Sequence, residues 1–383
     1  MKWTRKGHEL DHVYDKIQKK DKYYIFGAGD YGSQFYRIMK DEITVLGYID
    51  NSPAKRGQNL HGQKIYQLSD VKLSEDTAII VAVSQIARSG LVSKLDDEGY
   101  IEGEDYFKME LFLSVWYVYR YNKVYFMSVS MLPSTACNLN CELCLNFNPY
   151  AGKPDVRSLA QVKEDIDLFF QAVDYVMLYH VSGGEPFLYP HFAEVIEYLG
   201  TRYRDRILTL RTVTNGTVVP PDSLLQRLSE IDFEITVDDY REAVPDKKED
   251  FERLIQKLNK YKIKYEINKA ESWIDLAPTR TDHSMWTEEQ LIEHFDNCAQ
   301  TWQELRDGKL YSCNYDGYAT VARINEQQKE EVFDLRNFQP EQKKELVEFR
   351  LGYNEKGYTN LCKHCRGFYM DNPVVGQPAA QKK

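Results

Sequence analysis

At 383 residues, 43% of them hydrophobic and 28% charged, the chain exceeds the size at which one core stops growing, so more than one folded domain is expected. A formal net charge of -10 without a basic stripe argues against a nucleic-acid backbone as partner. No run of about 18 apolar residues marks a membrane span, and Met1-Lys-Trp-Thr-Arg-Lys lacks the apolar core of a signal peptide, so a cytoplasmic protein is expected.

Lys22 to Phe26 reads as a strand, followed by Gly27-x-Gly29-x-x-Gly32 and a helix. Val45 to Asp50 reads as a second strand, ending in an acid 23 residues after Gly27. Order and distance match a dinucleotide-binding fingerprint, in which glycines allow a tight turn and the helix N-terminus favours an anion. Thr77 to Val83 and Leu91 to Glu98 add a buried strand and a helix, closing a module over residues 1–107. It is too small for a complete nicotinamide-binding domain. With Gly47-Tyr-Ile-Asp-Asn and Gly62-Gln-Lys-Ile-Tyr, it resembles the small Rossmann-like modules found beside sugar-modifying enzymes. That resemblance implies nucleotide or nucleotide-sugar binding through Gly27, Gly29, Gly32 and Asp50. A fold used only for docking or dimerisation is the other reading. Residues 108–122 form an apolar, Tyr-rich connector, expected to be a helix packed between modules.

From residue 123 to 290, strands alternate with helices. The strands are expected at Lys123–Leu132, Asp174–Val181, Ile207–Thr214, Phe233–Val237 and Lys264–Lys269; helices fall at Leu159–Val173, Pro190–Leu199, Pro221–Glu230 and Lys247–Lys260. Such alternation implies a parallel sheet whose site gathers at the strands' C-terminal ends. Just past the first strand stand Cys137, Cys141 and Cys144, spaced Cys-x-x-x-Cys-x-x-Cys. Soft thiolates select iron-sulfur clusters or zinc, and a four-iron cluster normally takes four cysteines, so a set of three leaves one iron open. Alone, the spacing also fits a zinc knuckle short of one ligand. Gly183-Gly184-Glu185-Pro186 follows the second strand, where glycines permit close approach and Glu185 can accept a hydrogen bond from an ammonium.

The two motifs in this order resemble the radical SAM superfamily. The resemblance implies a partial (β/α)6 TIM-like barrel and a 4Fe-4S cluster on Cys137, Cys141 and Cys144. It implies S-adenosylmethionine chelated to the open iron, its amino group held by Gly183, Gly184, Glu185 and Pro186. A reductant such as flavodoxin or ferredoxin would supply the electron that yields a 5′-deoxyadenosyl radical. Thr214 and Asn215, with Thr236 and Asp238, look like the family's ribose and carboxylate contacts, although each alone is ordinary strand-end turn chemistry. Leu143 departs from the family, which commonly has an aromatic residue before the third cysteine, and Ile267 is a candidate to pack on adenine. On the substrate side, Lys269 and Glu271 share strand parity and could face the barrel for proton transfer or anchoring, or form an exposed ion pair. His180 and Arg211 are further strand candidates, while Asp239 and Tyr240 read as turn residues.

Seven cysteines, an odd number in clusters, point to metal ligation and not to a disulfide framework. Cys298, Cys313, Cys362 and Cys365 supply four thiolates, with an Asp307-Gly308 hairpin turn between the runs Trp302–Arg306 and Lys309–Cys313. This resembles the SPASM/Twitch extension of radical SAM enzymes, in its shorter Twitch form. It implies a Twitch-like domain over residues 291–370 and a second, fully ligated 4Fe-4S cluster acting as an electron relay. The spacing equally suits a four-cysteine structural zinc site. Residues 371–383 are a polar Pro/Gly/Ala tail expected to be disordered.

Together these features lead to a radical SAM enzyme that oxidises or epimerises a small molecule, a carbohydrate, cyclitol or nucleotide sugar. A peptide or protein side-chain maturase is the second reading. A non-catalytic binding protein is the third, disfavoured by the intact cysteines and Gly-Gly-Glu-Pro.

Overall fold

The structure, a computed structural model, describes residues 2–298, 302–369 and 375–382. The chain divides into two compact units, Arg5–Lys123 and a second made of Met1–Thr4 with Val124–Lys383.

The first unit opens with α1 (Asp11–Ile17) and is built on β1 (Lys22–Phe26), β2 (Thr44–Ile49), β3 (Asn59–Leu60), β4 (Gln63–Tyr66), β5 (Thr77–Val81) and β6 (Tyr106–Lys108), in sheet order β3-β4-β2-β1-β5-β6. All pairings are parallel except the β3–β4 hairpin. Every residue of β5 is buried, as a parallel strand covered on both faces requires. The strand order reverses between β1 and β5, and the glycine turn leading into α2 (Asp30–Met39) lies at that reversal. The helix α3 (Gln85–Asp97) follows β5, and α4 (Met109–Tyr121) closes the unit. Phe112 of α4 sits edge-on to Tyr23 at 5.1 Å, so the segment expected to be a connector belongs to this unit's core.

In the second unit, β7 (Tyr125–Met131), β8 (Tyr175–Val181), β9 (Ile207–Thr214), β10 (Glu234–Asp238) and β11 (Lys264–Asn268) form one parallel sheet in chain order. The helices α5 (Leu159–Ala172), α6 (Phe192–Arg202), α7 (Asp222–Leu228) and α8 (Lys248–Lys260) connect them. Among the described residues five strands are present, not the six expected of the barrel. The next segment, β12 (Trp273–Ile274), leaves the sheet and pairs antiparallel with β16 (Val375–Gly376). Ser158 and Gln161 cap α5 reciprocally, and Val162, Ile166, Phe169 and Phe170 bury one stripe of it.

Register divides the sheet into two chemistries. Val129, Tyr179 and Leu210 are neighbours across β7, β8 and β9, and Tyr179 stacks on Phe170 of α5, so this face is the helix-covered one. The opposite face carries the row Ser130, His180, Arg211 and the row Val213, Thr236, Glu266. Period-two alternation thus turns polar groups toward the barrel interior.

The rest of this unit contains α9 (Glu288–Asn297), α10 (Asn314–Val321), α11 (Lys343–Arg350) and a small antiparallel sheet of β13 (Leu305–Arg306), β14 (Lys309–Tyr311) and β15 (Val332–Asp334). The expected hairpin is present, with Asp307 and Gly308 both at positive φ, as a two-residue type I′ turn requires. Both turn N–H groups donate to buried Asp165 of α5, which is paired with Arg157 at 2.6 Å. Because Ser130 of β7 and Leu132 just after it bond residues 303, 304 and 318, the expected division at 290/291 falls inside one unit.

Candidate metal centre and adjoining cavity

The loop after β7 carries Cys137, Cys141 and Cys144 around one end of a cavity of about 290 Å³ that Gly183, Gly184, Asn215 and Asp238 also line. Burial pushes the Cys137 thiol up to about 12 and that of Cys141 up to about 11, and Cys144 moves the same way. Burial thus disfavours the charged form of all three, and holding them as thiolates would call for a positive counter-charge such as a metal. A soft three-thiolate set at a cavity mouth fits a cluster with one iron facing a ligand.

In Gly-Gly-Glu-Pro the two glycines line the cavity, and the turn also holds the cysteine loop. Gly184 N donates to Ser134 O at 2.9 Å and Glu185 N to Ala136 O at 2.7 Å, so this turn pairs with the backbone leading to Cys137. A Cβ at Gly184 would lie 2.4 Å from Ala136 O, which is why glycine stands there. Glu185 is 1% exposed and does not line the cavity. Its carboxylate accepts from Thr214 Oγ1 at 2.8 Å, Asn215 N at 2.9 Å and Phe187 N at 3.2 Å, at the start of the turn containing Pro186. Burial outweighs these donors and pushes it up to about 7. Thr214, fully buried on Glu185, and Thr236, bonded to Glu266 at 2.8 Å, are likewise outside the cavity lining.

Asn215 and Asp238 do face it. Asn215 Nδ2 donates to Asn138 Oδ1 at 3.0 Å, while its Oδ1 accepts from Thr217. Asp238, pushed upward by burial, accepts from Tyr240 at 2.5 Å and Asn268 at 2.7 Å. Tyr240 and Trp273 meet edge to face at 5.4 Å in the cavity wall and supply the aromatic surface that Leu143 does not. Leu143 instead packs on Gly376. Ile267 is 49% exposed and does not line the cavity.

The proposed substrate residues part company. Lys269 lies beyond β11, exposed and paired with Glu242 at 2.6 Å, and Glu271 is also exposed. Neither lines the cavity. Their parity is that of Ile267, on the face away from the interior. Asp239 is held by Arg241 at 2.7 Å. His180 does line the cavity, buried, with Trp302 edge-on at 4.5 Å and no partner for Nδ1. Burial and neighbouring Arg211 push it down to about 3, so the imidazole is neutral.

Cys298, Cys313, Cys362 and Cys365 come near one another in the second unit: burial pushes the thiols of Cys313, Cys362 and Cys365 up, and Cys298 beside each of them acts in the same direction. Cys313, Cys362 and Cys365 lie in an apolar cluster with Leu132, Phe147, Leu276 and Tyr315, and Cys298 is half-buried. Backbone N–H groups of Phe368 and Gly367 point at Cys298 Sγ (3.2 Å) and Cys365 Sγ (3.3 Å). Among the described residues no group of three or more His, Cys, Asp or Glu is gathered as a single metal ion requires.

In the first unit, Gly27 has φ +123° and a Cβ there would meet Ala82 O at 2.4 Å; one on Gly32 would meet Gly27 O at 1.9 Å. Gly29 faces open space. Asp50 accepts from Ala28 N, Ser52 N and Lys55 Nζ at 2.9–3.1 Å, which ties the end of β2 to the glycine turn.

Residues 131–287 match the Radical SAM superfamily, and residues 19–100 match a family described as C2185-like, N-terminal. The matched radical SAM domain is that of enzymes working by S-adenosylmethionine radical chemistry. No curated protein matches the chain. Solved structures similar to it include native anSMEcpe with bound AdoMet (15% identity, TM-score 0.41, 60% of this chain and 82% of that one). BtrN in complex with AdoMet and 2-DOIA is another (16%, 0.37, 65% and 98%). UDP-D-quinovosamine 4-dehydrogenase from Vibrio fischeri is a third (20%, 0.17, 21% and 74%). Among the described residues no helix is long and apolar enough to cross a membrane.

Proposed function

We propose that this chain, with its radical SAM domain over residues 131–287, takes a hydrogen atom from a hydroxylated small molecule and oxidises or epimerises it. A carbohydrate, cyclitol or nucleotide sugar is the substrate class. The observation that carries this reading is the cavity wall: beyond the three sulfurs it is lined by Asn146, His180, Ser182, Asn215 and Asp238, groups that pair with hydroxyls.

When bound, S-adenosylmethionine and a 4Fe-4S cluster on Cys137, Cys141 and Cys144 supply hydrogen-atom abstraction. The protein's part is to hold and orient. Asn215 and Asp238 offer amide and carboxylate at the strand ends, and Tyr240 with Trp273 offers an aromatic wall for a purine. Neutral His180 can hydrogen-bond a hydroxyl without placing a charge beside it.

The second cysteine set reads as a Twitch-like site for another 4Fe-4S cluster that accepts the electron left on an oxidised substrate. Its apolar burial and its N–H donors to sulfur support this, since both set a cluster's potential. The first unit reads as a Rossmann-like module for a nucleotide sugar, supported by the strand reversal at its glycine turn. Lys55, against Ala28 O and Asp50, offers that turn a cation. A cytoplasmic setting and a flavodoxin or ferredoxin reductant complete the proposal.

The test is anaerobic incubation of reconstituted protein with S-adenosylmethionine, reductant and a panel of nucleotide sugars, sugar phosphates, cyclitols and short peptides, followed by mass measurement. Loss of two hydrogens, or deuterium exchange without mass loss, in a hydroxylated compound is expected. A product only among peptides would overturn the substrate class.

A further inference from the structure

The tail expected to be disordered is held against the cysteine loop. Glu142 N donates to Ala380 O at 2.7 Å, Lys382 N donates to Asn140 O at 2.7 Å, and Cys141 and Gln381 form a β-bridge. The Gln381 side chain uses both ends of its amide here: Oε1 accepts from Asn140 N at 2.8 Å, while Nε2 donates to Cys141 Sγ at 3.5 Å and to Ala379 O at 2.6 Å. Ala379 is fully buried. Upstream, Val375–Gly376 pairs with Trp273–Ile274, the strand that brings Trp273 to the cavity. Residues 370–374 and 383 lie outside the described residues.

An added strand fixes the backbone of residues 140–142, and one of those three is a thiolate ligand. Hydrogen bonds to sulfur and exclusion of solvent are two of the levers that set a cluster's potential. We propose that residues 375–382 are a built part of the first cluster's cradle, and that Gln381 is a positioning residue that fixes Cys141 and donates to its sulfur. This rests on the reading of Cys137, Cys141 and Cys144 as cluster ligands. An N–H donor stabilises the more negative, reduced cluster, so Gln381 raises its potential and makes loading of the electron easier.

Two measurements on the full chain and its variants separate the parts of this claim. In metal-free protein, deleting residues 375–383 should raise amide hydrogen exchange in residues 138–146, because Asn140 and Glu142 lose their acceptors. Unchanged exchange there overturns the strap, whatever the site binds. In anaerobically reconstituted protein, Gln381→Glu keeps an acceptor for Asn140 N–H and loses the donor to sulfur. The signal that responds to added S-adenosylmethionine should then titrate at lower potential, with uptake of iron retained, and Gln381→Leu should show the same sign. An unchanged potential in both variants overturns the role of Gln381. A wild type that takes up no iron on Cys137, Cys141 and Cys144 defeats the cluster reading itself, while the exchange result still stands.

Discussion

The backbone N–H of Asn215 donates to Glu185 Oε2 at 2.9 Å, locking the end of β9 to the turn that follows β8. With Thr214 on the other carboxylate oxygen, Glu185 is a clamp between two strand ends. Glu185→Ala strands these buried donors, and each should cost about 1–3 kcal/mol. Thermal unfolding of the metal-free variant should drop by several degrees, and S-adenosylmethionine binding should fall because Asn215 is released. Unaltered melting would remove Glu185 from the structural role assigned here.

Iron analysis tests both cysteine sets. Reconstituted wild type should hold about eight irons per chain, and the Cys137/Cys141/Cys144 triple alanine variant about four, with loss of S-adenosylmethionine cleavage. Stoichiometric zinc in place of the second four irons would mean that Cys298, Cys313, Cys362 and Cys365 form a structural site.

If the second set holds a cluster that accepts the electron from substrate, replacing Cys362 or Cys365 by alanine should leave reductive cleavage of S-adenosylmethionine measurable while product formation stops. Full turnover in either variant would reduce the second set to scaffolding.

Glu304 gives the fold a pH dependence of known sign. It is fully buried, accepts from Leu132 N at 2.7 Å and leaves Oε2 without a partner, and burial pushes it up to about 8 despite Arg306 and Arg157 nearby. A carboxyl raised in the fold binds its proton more tightly there than when unfolded. Its contribution to stability is therefore present at low pH and lost as pH rises from about 5 to 8. The melting temperature of the wild type should fall across that window relative to Glu304→Gln. Parallel curves would show that Glu304 is already ionised at pH 5.

The three glycines of the first unit should respond unequally. Gly32→Ala drives a Cβ into Gly27 O and should unfold or strongly destabilise the unit, whereas Gly29→Val meets nothing and should fold. If the turn binds a phosphate, Gly29→Val should lose affinity for uridine or thymidine diphosphate sugars in calorimetric titration, with S-adenosylmethionine cleavage intact. Wild type that binds none of them would leave the module as a docking surface.

Strand periodicity and cysteine spacing carried much of this architecture, because both are local patterns: the five strand cores and the Asp307-Gly308 turn lie where alternation and turn chemistry put them. What sequence does not show depends on distant partners or on a shift of one residue. The strand β11 stops at Asn268, so Lys269 and Glu271 take the parity of Ile267, while Glu266 keeps the inward position. That the Glu185 carboxylate accepts from Thr214 and Asn215 is not legible in sequence, because both partners lie about 30 residues away. The tail reads as disordered because its order comes from a pairing 240 residues away, which no local composition records.

Trp3 adds a consequence for how the chain is made. Its indole N–H donates at 2.7 Å to Glu348, a fully buried carboxylate of the second unit, across 345 residues of sequence. The first unit is therefore an insertion tethered at both of its ends, at Thr4 and at Val124, and not a detachable head. During synthesis, residues 2–4 are made before the module that follows them yet cannot take their place until α11 has been synthesised. Cutting the gene at residue 107 would discard Trp3 and leave α4 as a remnant. Excising residues 5–123 and joining the flanks keeps the anchor and isolates the second unit cleanly.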